Sequence, residues 1–131
     1  MVARCVLVID DEADIREIAK VSLQLTRGWD VVTAATGQEG VELAGKKQPD
    51  VILLDVVMPE MDGLKTLQTL KENSSTQPIP VILLTATVKV ATRQQYAQLG
   101  AQAVMTKPFD PGVLAEQIES ALGWTVTNLS I

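Results

Sequence analysis

Short, nearly unbroken runs of Val, Ile and Leu alternate with stretches of helical spacing. The runs fall at Cys5–Ile9, Val51–Leu54 and Val81–Leu84, with weaker ones at Trp29–Ala34 and Ala103–Thr106. A strand with one wet face alternates apolar and polar residues, whereas a continuous run suits a strand buried on both faces of a parallel sheet. The first helical stretch carries Ile15, Ile18, Ala19, Ser22 and Leu23 at i, i+3, i+4, i+7 spacing. Asp11 and Glu12 stand at its start, where negative charge is favoured, and Gly28 closes it. Further helices are predicted over Gln38–Ala44, opened by Thr36 and Gly37 and ended near Gly45, and over Leu64–Leu70. Another should run from about Val90 to Leu99, stopped by Gly100. The last should span Pro111–Leu122, with Asp110 as N-cap, Pro111 at its first position and Gly123 beyond its end. A polar, proline-bearing loop fills 73–80. Repetition of β then α implies a single open parallel sheet with helices on both faces. Residues 1–123 form one expected domain, and 124–131 its tail or the start of a linker.

Composition removes several classes of function. The chain has 131 residues, enough for one domain with a real core. A net charge of -5 argues against binding a phosphate backbone, and Trp29, Tyr96, Phe109 and Trp124 are too scattered for a base-stacking surface. There is no histidine, and Cys5 is the only cysteine. Intrachain disulfides, His/Cys zinc sites, histidine-dependent triads and a phosphohistidine on this chain are thereby excluded. Cys5 itself reads as a small core residue. Asp10 and Asp11 arrive too early for a signal-peptide core, and no apolar run reaches membrane-spanning length. A cytoplasmic protein without membrane contact is expected.

In a sheet of this kind, ligands bind outside the carboxyl ends of the strands. The residues following the strands there are Asp10 and Asp11, Asp55, Thr85 and Lys107. Singly, each has an ordinary explanation: Asp10 or Asp11 can cap the first helix, Thr85 the fourth, and Lys107 can be a solvated charge. Jointly, three carboxylates at one rim repel one another, so either their pKa values rise or a cation joins them. A few hard oxygen ligands suit Mg²⁺, which completes its shell with water and phosphate oxygens. Asp55, which ends the apolar run Val51–Leu54, is then placed to attack a phosphoryl group whose other oxygens Lys107 and Thr85 hold. The chemistry is phosphoryl transfer onto a carboxylate.

With these residues the chain resembles the receiver domain of two-component response regulators, the chemotaxis-regulator-like fold, over about Val6 to Leu122. The resemblance rests on Val6 to Glu12, on Ile52 to Gly63 with Asp55, Pro59 and Asp62, on Leu83 to Ala86, and on Gly100 and Ala101 followed by Thr106 to Phe109. It implies a (βα)5 domain with a five-stranded sheet of order 2-1-3-4-5. It further implies that Asp55 accepts a phosphoryl group from a phosphohistidine on a sensor histidine kinase or histidine phosphotransfer protein. Mg²⁺ would be ligated by Asp11, Asp55 and the Val57 backbone carbonyl, with Asp10 acting mostly through a water. Thr85 would swing toward the phosphoryl oxygens, Lys107 would pair with them, and the Lys107–Pro108 bond would be cis. The start of the first helix, at Ala13, Asp14 and Glu17, and the loop through Pro108 and Phe109 would face the histidine-bearing partner. The output would be a switch in protein–protein contacts, with no turnover substrate and no direct nucleic-acid binding.

Departures from the family's usual pattern qualify this reading. Val104 stands where most receivers carry the Tyr or Phe that moves inward on activation, so the aromatic part of the switch should be missing or reduced. Val57 and Thr87 replace polar groups that often position hydrolytic water, which implies slow loss of phosphate. The last helix carries Glu116 and Glu119 and no arginine, so the charged dimer mode of DNA-binding relatives is not expected. A flavin mononucleotide carrier on the same fold would need a Ser/Thr/Gly-rich loop where Asp10 to Asp14 stand, and an aspartyl-phosphate phosphatase would need Asp-x-Asp and a cap. A degenerate receiver acting as a phosphorylation-independent interaction module is the remaining alternative, against which the intact set Asp10, Asp11, Asp55, Thr85 and Lys107 argues.

Overall fold

The computed structural model describes residues 4–56, 63–86 and 90–124, with backbone alone for 90–92. The elements alternate without exception: β1 (Cys5–Ile9), α1 (Ala13–Arg27), β2 (Asp30–Ala34), α2 (Gly37–Lys47), β3 (Val51–Asp55), α3 (Gly63–Glu72), β4 (Val81–Thr85), α4 (Val90–Gln98), β5 (Ala103–Thr106) and α5 (Leu114–Leu122). All pairings are parallel, and the five-stranded sheet has the order β2-β1-β3-β4-β5, as expected.

The unbroken apolar runs have the predicted cause, because both faces of the sheet are covered. Val6 and Val8 of β1, Val51 and Leu53 of β3, and Ile82 and Leu84 of β4 pack with Ala19 and Leu23 of α1 and Leu114 and Ile118 of α5. The intervening residues Leu7, Ile9, Ile52, Leu54 and Leu83 point the other way, onto Ala44 of α2, Leu67 and Leu70 of α3, and Tyr96 of α4. Burial is complete at every position of β3 and β4 up to Leu54 and Leu84.

Local chemistry sets the helix ends. Gly28 closes α1 at φ 66°, a left-handed conformation that suits glycine, and its N–H reaches the carbonyls of Leu23 and Gln24. Thr36 caps α2 by accepting from the Glu39 N–H at 3.1 Å, while Glu39 accepts from the Ala35 N–H at 2.8 Å. The helix passes through Gly45 and ends at Lys47, with Gln48 in the left-handed conformation and its side-chain amide on the carbonyls of Ala44, Gly45 and Ser75. Glycine within a helix costs only about 1 kcal/mol, too little to stop it.

Two expectations need correction. The last helix begins at Leu114 and not at Pro111, and Asp110 does not cap it. The Asp110 carboxylate accepts from the Gly112 N–H at 2.8 Å, and its carbonyl accepts from Val113 N–H at 3.1 Å. Asp-Pro-Gly therefore makes a turn of its own before the helix starts. Ser22 of α1 fixes that turn by donating its hydroxyl to the Pro111 carbonyl. The predicted core stripe of α1 also overreaches: Ala19, Ser22 and Leu23 are buried, but Ile18 is 42% exposed.

At the amino-terminal rim of the sheet, Trp124 meets Trp29 edge to face at 5.6 Å, and the Arg4 guanidinium lies 4.0 Å from the Trp124 ring centre. Nearby, Arg27 of α1 grips Glu119 of α5 through two hydrogen bonds of 3.0 and 3.1 Å. Glu119 is almost wholly buried, and its hydrogen bond holds the Arg27 pKa above the ordinary value despite partial desolvation. Arg27→Ala should destabilise the fold by about 3 kcal/mol in denaturant unfolding, because it leaves a carboxylate buried without its cation. The double change Arg27→Met with Glu119→Leu should recover most of that loss; a double variant as weak as the single one would contradict the assignment.

Candidate functional site

The carboxyl ends of β1, β3, β4 and β5 bring together all the described residues singled out from the sequence. Asp10 follows β1 and is fully buried, Asp55 ends β3 at 5% exposure, and Thr85 ends β4 at 7%. Asp11 is exposed beside Asp10. Lys107 follows β5, its backbone N–H held by the Thr85 carbonyl at 2.8 Å, and the Lys107–Pro108 bond is cis as expected. Asp11, Glu12, Asp55, Val56, Thr85 and Lys107 line an open pocket of about 370 Å³. Val57, Pro59, Asp62 and Thr87, which the resemblance also invoked, lie outside the described residues.

Asp10, Asp11 and Asp55 each offer a carboxylate oxygen, and these atoms lie within 4.8 Å of one another. At an effective dielectric near 20 such a pair repels by about 3–4 kcal/mol, so an opposing charge is required. Lys107 supplies part of it. Its ammonium lies 3.0 Å from Asp10 Oδ2, 3.0 Å from Glu12 Oε1 and 3.5 Å from Asp55 Oδ2. Arg16 donates to the Asp10 backbone carbonyl at 2.8 Å. Three hard oxygen donors meeting in an open pocket fit a small divalent cation.

Both oxygens of Asp10 are engaged: Oδ1 accepts from the Glu12 N–H at 2.9 Å and Oδ2 accepts from the Lys107 ammonium at 3.0 Å. Partial burial by itself lowers the Lys107 pKa, but hydrogen bonds to Glu12 and Asp10 and the charges of Asp10 and Asp55 override it, leaving the pKa raised. The ammonium therefore stays charged through the neutral range. Its stabilising contribution is complete below the unfolded lysine value of about 10.4 and is lost only as pH climbs through the higher folded value.

Glu12 as a partner of Lys107 was not anticipated. The cue was present in the run Asp10-Asp11-Glu12, but a third acid there reads equally well as favourable charge at a helix start. Glu12 does occupy the N-cap position of α1, yet its side chain makes no capping bond. Val104 is half-buried against the Leu83 side of the sheet. With Arg93, Phe109, Gln117 and Ser120 it lines a groove of about 520 Å³ along α4, β5 and α5.

Fold and site together define a receiver-type α/β signalling domain. The response regulator receiver domain model matches residues 6–119, and the chain belongs to that family. It is 40% identical over 117 residues to a probable transcriptional regulator ycf27 of Guillardia theta, covering 89% of this chain and 44% of that protein. It is 34% identical over 122 residues to the phosphate regulon transcriptional regulatory protein PhoB of Pseudomonas aeruginosa, covering 93% of this chain and 53% of that protein. The chain thus spans about half the length of the curated relatives it matches. Among solved structures, the chemotaxis response regulator CheY4 of Vibrio cholerae superposes with a TM-score of 0.85 at 32% identity, covering 92% of this chain and 99% of that one. Among the described residues no helix is long and apolar enough to cross a membrane.

Gly63 ties α3 to the acid rim. Its N–H donates to the Val56 carbonyl at 2.7 Å, and a Cβ there would collide with the Asp55 carbonyl and the Val56 Cα, backbone atoms that cannot swing aside. Gly63→Ala is therefore expected to cost about 1–3 kcal/mol in denaturant unfolding. A midpoint equal to that of the unaltered protein would show that the rim yields more easily than its packing implies.

Proposed function

We propose that this domain is the phosphoacceptor of a two-component relay, with Asp55 receiving a phosphoryl group from a phosphohistidine on a sensor histidine kinase or histidine phosphotransfer protein. A carboxylate oxygen of Asp55 forms the new O–P bond as the N–P bond of the donor breaks, and the histidine nitrogen leaves with the electron pair. Asp10, Asp11 and Asp55, with the Val57 carbonyl, would hold Mg²⁺, Asp10 mostly through a water. The ion would supply the positive charge that lets an ionised carboxylate approach an anionic phosphorus centre. Lys107 holds one phosphoryl oxygen and the Thr85 hydroxyl turns to another. The observation that carries this reading is the grouping of Asp10, Asp11 and Asp55 oxygens within 4.8 Å of one another, beside a pocket that Asp11 and Asp55 line with Thr85 and Lys107. Residues 1–123 would act as the receiver unit, with 124–131 as its tail or the start of a linker. The product is a change in protein–protein contacts inside the cell, without turnover of a free substrate. This domain would itself make no direct contact with nucleic acid.

The partner's histidine-bearing helices would dock beside the acid rim. Ile18, Val21 and Leu25 of α1 are exposed, and with Glu17, Ser22 and Pro111 they line an apolar groove of about 460 Å³. A continuous apolar stripe on an otherwise charged helix suits the flank of a partner helix.

Incubation with acetyl phosphate and Mg²⁺ should add the mass of one phosphoryl group to the intact protein, and Asp55→Asn or removal of the metal by chelation should abolish the addition. An unaltered mass in the starting protein would reduce the domain to an interaction module. Val21→Glu places a charge in the groove and should slow transfer from a phosphohistidine protein about tenfold more than it slows transfer from acetyl phosphate. Equal effects on the two donors would move the docking surface elsewhere.

A further inference from the structure

We propose that Glu12 is a positioning residue that holds the Lys107 ammonium in its resting place and is displaced from it when a phosphoryl group arrives on Asp55. This rests on the reading of Asp55 as phosphoacceptor.

An ammonium has three protons to give. Here its neighbours are Asp10 Oδ2 and Glu12 Oε1, both at 3.0 Å, and Asp55 Oδ2 at 3.5 Å. The two shorter contacts both go to carboxylates other than the acceptor. A phosphoryl oxygen on Asp55 places a stronger anion on the side of the 3.5 Å contact and draws the ammonium toward β3, which strains both shorter contacts, and the two are not equally easy to release. Asp10 is fully buried, so removing Lys107 would leave Oδ2 away from water without this donor. Glu12 has 60% of its side chain exposed, so it can return to solvent at little cost.

The backbone around Glu12 holds it ready for this role. Its N–H is anchored on Asp10 Oδ1 at 2.9 Å, and its carbonyl accepts from Arg16 N–H at 3.2 Å as α1 begins. The backbone is thus anchored at the rim while the side chain stands largely in solvent. Because the side chain makes no capping bond, its reach to Lys107 is not a by-product of closing the helix. Glu12 therefore acts as a removable counter-ion: it keeps the ammonium from collapsing onto Asp55 and gives it up to a stronger anion.

The test measures the rate of phosphorylation by acetyl phosphate at saturating Mg²⁺, read by intact mass, for the unaltered protein, Glu12→Gln and Glu12→Asp. A small donor keeps partner docking out of the measurement. Loss of a half-exposed ion pair should raise the rate about two- to fivefold in Glu12→Gln. Glu12→Asp keeps the negative charge at the rim but shortens the reach by one methylene, so it should be accelerated similarly. Acceleration in Glu12→Gln without acceleration in Glu12→Asp would assign the effect to bulk repulsion of the donor and overturn the proposal, as would equal rates in all three proteins. If the unaltered protein takes up no phosphate, the acceptor reading itself fails and this inference with it.

Discussion

A parallel sheet packed on both faces has nowhere to place polar chemistry except at its rims. The apolar residues of β1, β3 and β4 are spent on two layers of core, so the first polar side chains these strands can present are those at their carboxyl ends. Asp10, Asp55 and Thr85 occupy those positions, and Lys107 follows the end of β5. Parallel register brings residues from distant parts of the sequence to one edge at strand spacing, about 4.8 Å apart. The carboxylate cluster follows from this geometry, and Lys107 partly neutralises a site that the fold itself makes repulsive.

Much of this was legible in the amino-acid pattern, for identifiable reasons. The central strands β1, β3 and β4 are legible because burial on both faces leaves a continuous apolar run, the partly exposed edge strands β2 and β5 leave weaker ones, and the chemistry-bearing residues are legible because the strand ends mark the rim. Strand order rested on family resemblance, since periodicity carries no information about which strands are neighbours. Ile18 shows a further limit: its spacing places it on the apolar stripe of α1, but spacing cannot say where the neighbouring element stops covering that stripe. The start of α5 was missed because Asp110-Pro111-Gly112 satisfies the preferences of a helix start and of a tight turn alike. The hydrogen bond from Ser22, 89 residues away in sequence, holds the turn in place.

The same distinction applies within the site. Residue type and position were enough to gather Asp10, Asp11, Asp55, Thr85 and Lys107, because each lies at or just beyond the end of a strand. The sharing of one ammonium among Asp10, Glu12 and Asp55 depends on side-chain conformations that no one-dimensional pattern encodes. Gly63 lies between these cases: the sequence marks it only as the end of the motif that begins at Ile52, whereas its environment shows it wedged against the backbone of Asp55 and Val56.

The chain has two tryptophans, and they touch each other at the rim opposite the acids. Five strand residues separate the two rims, roughly 17 Å along the sheet. Indole emission from Trp29 and Trp124 is therefore insensitive to direct contact with an occupant of the acid pocket and senses it only through movement of the intervening framework. A change in that emission on filling the acid pocket would therefore report movement across the sheet and not occupancy itself.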